Sequence, residues 1–94
     1  DEVATQAMNT VRQASILSVS FSGRQAIIKT RNGYAGGVAY DIDELSSPHI
    51  LGTIAGADTV FVAVDDDISR PEIYAVLSEI IPSNVMEAGK QYFF

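Results

Sequence analysis

The sequence predicts an α+β fold: a two-layer β-β-α-β-β-α sandwich, with a four-stranded sheet and helices on one face. Three observations predict it. An alternating apolar run over residues 16–21 and a second strand-like run over 25–30 flank a Gly-containing turn. The apolar spacing then changes to a helical period over 36–45 and again over 69–81. Between those two helical segments lie two short apolar runs joined by a tight turn, at 50–54 and 59–64.

In chain order, Val3, Ala7 and Val11 recur at i, i+4 and i+8. Residues 1–14 are therefore a short amphipathic helix or a solvated lead-in from a linker. Residues 16–21 alternate, which predicts Leu17, Val19 and Phe21 on one strand face. Ser22-Gly23-Arg24 turns the chain and residues 25–30 return, completing a hairpin. Arg31-Asn32-Gly33 breaks that strand. From Gly36 to Leu45, Val38, Ala39, Ile42 and Leu45 share one helical face, and Ser46-Ser47-Pro48 ends it. Residues 50–54 are expected to form a short buried strand. Ala55-Gly56-Ala57-Asp58 turns, and residues 59–64 (Thr-Val-Phe-Val-Ala-Val) are the most β-prone of the chain. Ser69 and Glu72 have capping-box spacing around Pro71. Ile73, Leu77, Ile80 and Ile81 continue the helix to Pro82-Ser83-Asn84. The domain is thus expected over 15–82, with 83–94 as a C-terminal extension of unassigned structure. The uncovered sheet face is expected to meet solvent or partner chains.

Ninety-four residues make one domain with one core, and 47% hydrophobic content argues for a folded globule. Without cysteine, disulfides and thiolate metal sites are excluded. Apolar runs fall far short of the ~20 residues that span a bilayer. No basic region opens the chain as a signal peptide would, so a cytoplasmic protein is expected. The formal net charge is −6, and only six Lys and Arg are scattered along the chain. Such a chain repels a phosphate backbone. It begins without Met, as a fragment or a processed product does, and any nucleic-acid reader is expected upstream.

The run Gly52-Thr53-Ile54-Ala55-Gly56-Ala57-Asp58-Thr59 resembles the signature Gly-Thr-Ile-Ala-Gly-Asp-Asp-Thr of the arginine repressor C-terminal domain, matching seven of its eight positions. Upstream, Lys29-Thr30-Arg31-Asn32-Gly33-Tyr34-Ala35 is similar to that family's Lys-Thr-x-Pro-Gly-Asn-Ala, and the element order agrees over 15–82. The resemblance implies a domain that forms homotrimers and stacks two of them into a hexamer, with L-arginine bound between them as corepressor. It also implies that operator DNA is read by a separate N-terminal winged helix, absent from this chain, to control genes of arginine metabolism. Carried over position by position, Asp43 matches a helix carboxylate of the effector site, Ala55 a backbone contributor and Asp58 the second Asp of the signature. Two positions depart. Ala57 replaces the first Asp, which is credited with gripping the guanidinium, and Gly36 replaces a Gln, Asn or His. The effector is therefore expected to be L-arginine held weakly or a related amino acid. No other cofactor is implied.

A guanidinium offers five fixed donors and suits paired carboxylates, so a cation site accords with these residues. Six acidic chains repel one another, and cations bound at their seam would offset that repulsion. Plainer readings stand beside this one. Asp58 is a common turn residue, and Asp41, Asp43 and Glu44 make an ordinary solvated helix face. Gly52 and Gly56 open no helix, so no dinucleotide fingerprint is present. Asp65-Asp66-Asp67 lacks the spacing of a calcium loop, and His49 is the only histidine. No metal site and no catalytic residue are expected. The alternatives to a regulatory domain are an effector-independent trimerisation module and, with a lone histidine against it, a small pterin dehydratase-like enzyme.

Overall fold

The computed structural model describes residues 10–94. Val3 and Ala7 of the expected lead-in helix lie outside them. Residues 10–14 are helical, and Val11, expected on an apolar face, is exposed. Next come β1 (Ile16–Ser22), β2 (Gln25–Thr30), α1 (Ala35–Glu44), β3 (Ile50–Ala55), β4 (Thr59–Val64), α2 (Arg70–Leu77) and α3 (Ser83–Ala88), then a 3-10 turn (Lys90–Tyr92). The four strands form one antiparallel sheet in the order β1-β2-β4-β3. The two central strands are β2 and β4. On β2 and β4, Ala26, Ile28, Val60 and Val62 are completely buried. Together with Val38 and Ile42 of α1, Ile73 and Leu77 of α2, and Met86 of α3, they make the core between sheet and helices. Each large aliphatic side chain so buried stabilises the fold by about 1.5–3 kcal/mol.

Two strand readings need correction. Leu17 does not share a face with Val19 and Phe21. A register irregularity between Ile16 and Ser18 flips it outward, so Ile16 fills the inner position and Leu17 is exposed. Residues 50–54 were expected to be buried, but β3 is an edge strand. Its Leu51 is 69% exposed and its Ile54 is 75% exposed. An apolar run does not by itself distinguish burial within one chain from burial against another.

The helices are placed by local chemistry. Ser46, in the left-handed region at φ 53°, follows the C-terminus of α1. At α2 the capping box forms as the spacing predicts. The Ser69 hydroxyl accepts from the Glu72 amide, and the Glu72 carboxylate accepts from the Ser69 amide, each at 3.2 Å. These hydrogen bonds hold the Glu72 carboxyl below its ordinary pKa. The helical spacing through Ile81 outlasts the helix, which gives way to turns after Leu77.

Residues 83–94 share the same core. Val85, Met86 and Phe93 are buried, and the Phe93 ring packs on Phe21 and Tyr74 with centroids 5.2 and 5.4 Å apart. Gly89 lies so close to β1 that a Cβ there would collide with the Val19 carbonyl oxygen.

Candidate functional site

The two motifs of the sequence meet at one end of the sheet. β3 and β4 are joined by a tight turn in which the Gly56 amide donates to the Thr59 carbonyl at 2.8 Å. Gly33, at φ 90°, takes the left-handed conformation that lets the 31–34 loop turn into α1. Its amide donates to the Ala57 carbonyl at 2.7 Å, and the Thr30 amide donates to the Asp58 carbonyl at 2.8 Å. The loop that opens α1 is therefore stitched to the turn that carries Ala57 and Asp58.

From that junction α1 runs beside β3, and Gly36 stands in its first turn. Asp43 lies about 10 Å further along the helix axis. There the Thr53 hydroxyl donates to its carboxylate at 3.0 Å. Asp58 accepts from the Thr59 hydroxyl at 2.8 Å, and that hydroxyl accepts in turn from the Lys29 ammonium at 2.8 Å. Each predicted carboxylate is thus oriented by a threonine of the same signature run. Thr53, Thr59 and Lys29 were not singled out as site residues from the sequence. The strand pairing of Lys29 with Thr59 supplies one contact, and sequence spacing carried no sign of it.

All five predicted positions (Gly36, Asp43, Ala55, Ala57 and Asp58) are exposed. A Cβ added at Gly36 would meet nothing within 4 Å, so the space of a larger side chain is open there. The structure groups Ala55, Ala57 and Asp58 at one turn, brings Gly36 beside it through the Gly33 bond, and sets Asp43 further along the same edge. None of them lines a closed cavity. A shallow depression of about 410 Å³ lies elsewhere, on the open sheet face, floored by Leu51, Ile54, Phe61 and Ala63 and flanked by Arg24. Its apolar lining suits packing better than recognition of a charged ligand.

Two other groups noted in the sequence have structural roles. Asp65 accepts from the amides of Asp67 and Ile68, and the His49 ring nitrogen Nδ1 is 3.2 Å from both of its oxygens. Burial pulls the Asp65 carboxyl upward, but these partners outweigh it and leave it below its ordinary value. Arg24 binds the Asp65 and Ile68 carbonyls, closing the same loop. Among the described residues no group of three or more His, Cys, Asp or Glu side chains could hold a metal ion. No helix among them is long and apolar enough to cross a membrane.

Comparison with known proteins shows the family of the chain. The family described as arginine repressor, C-terminal domain, matches residues 13–79. An arginine repressor of Bacteroides thetaiotaomicron is 42% identical over 73 residues, covering 78% of this chain and 46% of the relative. One of Bacteroides fragilis is 48% identical over 67 residues, covering 71% and 43%. One of Thermotoga maritima is 45% identical over 64 residues, covering 68% and 42%. The chain thus spans less than half the length of the relatives it matches. With the family match running from the end of the lead-in helix through α2, and with both motifs meeting at one edge, the chain belongs to the arginine repressor C-terminal domain family.

Proposed function

We propose that this chain is the assembly and effector-binding part of a cytoplasmic transcriptional repressor of arginine metabolism genes, with no catalytic activity of its own. Family membership supports the regulatory reading. The observation that carries the site is the pair of oriented carboxylates. Asp58 on Thr59 stands at the Ala57 turn and Asp43 on Thr53 stands further along the same edge, both carboxylates exposed. Carboxylates fixed by hydroxyl donors are prepared for a cationic ligand. An edge this open cannot enclose a small amino acid, so a second copy of the chain completes the site. L-arginine or a related amino acid then lies at the seam of a homotrimer or homohexamer, and its cation offsets the repulsion between acidic chains. Operator DNA is bound through a winged helix in the upstream half of the whole protein.

One observation favours a second reading. Ala57 presents no carboxylate where the family signature has Asp. A charge-assisted hydrogen bond contributes about 1.5–3 kcal/mol. Its loss weakens L-arginine by roughly tenfold to over a hundredfold, and at that limit the domain is an assembly module alone. Titration calorimetry of the chain and of Ala57→Asp with L-arginine separates the two. The effector reading expects measurable binding that Ala57→Asp tightens by about tenfold or more. Absence of heat in both proteins, with the assembly intact, establishes the assembly-only reading.

A further inference from the structure

Arg12 makes the best-defined ion pair of the described residues. Its Nε donates to Asp41 Oδ2 at 2.7 Å and its Nη2 to Asp41 Oδ1 at 2.9 Å, the two-pronged geometry that fixes both planes. Only 18% of the Arg12 side chain and 15% of the Asp41 side chain are exposed. To reach Asp41 the arginine lies across α1 at Gly37, where an added Cβ would stand 2.6 Å from Arg12 Cδ. The backbone beside it is anchored as well. The Ser15 hydroxyl donates to the Arg12 carbonyl at 2.6 Å, and the Arg31 amide donates to the Ser15 carbonyl at 2.9 Å. Arg31 begins the loop whose Gly33 amide holds the Ala57 carbonyl. The end of the N-terminal segment is therefore tied twice. One tie is to the helix bearing Gly36 and Asp43, and the other is to the loop that grips the Ala57 turn.

We infer that Arg12 is a positioning residue. Its ion pair with Asp41, across the notch at Gly37, latches the chain leading in from upstream onto the helix that carries two of the predicted site positions. The latch holds the helical turn at residues 10–14 in one orientation against that helix. Occupation of the site steadies α1 and so tightens the latch. This second half rests on the effector reading above, whereas the first rests on the contacts alone. Asp41 stands two residues from Asp43 on the same ten-residue helix, so the ion pair and the site carboxylate share one backbone element.

Trypsin tests it, because cleavage after Arg12 requires the latch and its helical turn to open. Cleavage from a transiently open form tracks the population of that form. The intact chain is digested briefly and the fragment beginning at Gln13 is followed by mass spectrometry. Asp41→Asn is expected to speed this cut about tenfold, equivalent to about 1.4 kcal/mol. Gly37→Ala, which keeps both charges and fills the notch, should also speed it, and Asp41→Glu should restore most of the protection. Saturating L-arginine should slow the cut in the wild type and not in Asp41→Asn. Cleavage of Asp41→Asn and Gly37→Ala at the wild-type rate overturns the latch. Arginine that binds by calorimetry yet leaves the wild-type rate unchanged overturns the coupling. If arginine gives no heat even with Ala57→Asp, the effector reading fails, and the Asp41→Asn rate still decides the latch.

Discussion

The two faces of the sheet are built from the same kinds of residue and meet different fates. Toward the helices, Ala26, Ile28, Val60 and Val62 are wholly buried, and the chain supplies their cover from three helices. On the other side Leu51, Ile54 and Phe61 are equally apolar and line one depression, and Phe61 is still 46% exposed. Strand register explains the split: Ile54 pairs with Phe61 and Thr53 with Val62, so alternate residues of one hairpin face opposite ways. Contiguous exposed apolar surface on a small acidic domain is the usual mark of an interface. The covered face thus accounts for the fold of one chain, and the open face is the surface that the proposed assembly would cover.

Truncating each face in turn sharpens that contrast. Ile28→Ala, in the covered face, should cost about 2–5 kcal/mol in urea denaturation, because it empties a closed core. Ile54→Ser, on the open face, should leave the secondary structure intact and lower the assembly size; an equal loss of fold stability in the two variants would erase the distinction. The C-terminal segment offers an intermediate case. Gly89→Ala forces residues 83–94 away from Val19, and a cost of about 1–3 kcal/mol is expected if they complete the covered face. An unchanged melting curve would make that segment a dispensable extension.

Smaller effects test the helix ends that hold the cover in place. Ser69→Ala removes one half of the α2 capping box and should cost about 1 kcal/mol. Ser46→Gly should raise stability by about 0.5–1 kcal/mol, by relieving a non-glycine residue of its left-handed backbone. Acid should act through Asp65 and Glu72. Both carboxyls lie below their ordinary values when folded, so their contribution is present above the ordinary carboxylate range. It is lost as pH falls through the depressed folded values. Asp65→Asn should flatten the acid limb of a plot of melting temperature against pH, and an unaltered limb would remove Asp65 from that role.

Periodicity made the element order legible, because helical and strand spacings differ over enough residues to separate. Val38, Ala39 and Ile42 follow it, as does the Ser69–Glu72 cap. It did not reveal the irregularity that turns Leu17 outward, since one inserted residue leaves composition unchanged and inverts the face. It also did not reveal that β3 is an edge strand, because an interface strand and a core strand are composed alike. At the site, the signature run brought Ala57 and Asp58 into view. The threonines that orient the carboxylates, and Lys29 from the neighbouring strand, depend on pairing register. Gly37 reads as an ordinary helix glycine until Arg12 is seen lying across it. Residues 83–94 carry no clear helical period, and their burial rests on Val85, Met86 and Phe93 meeting β1 and α2 from a distance in sequence.

In the proposed assembly the open face is an interface between copies of this chain, and the exposed edge becomes a ligand site only when those copies meet. Light scattering of the purified chain at micromolar concentration, with and without L-arginine, tests it most directly. The mass of a trimer or hexamer is expected, with arginine shifting the balance toward the larger form. A clean monomer under both conditions, with Leu51, Ile54 and Phe61 left facing water, would contradict it.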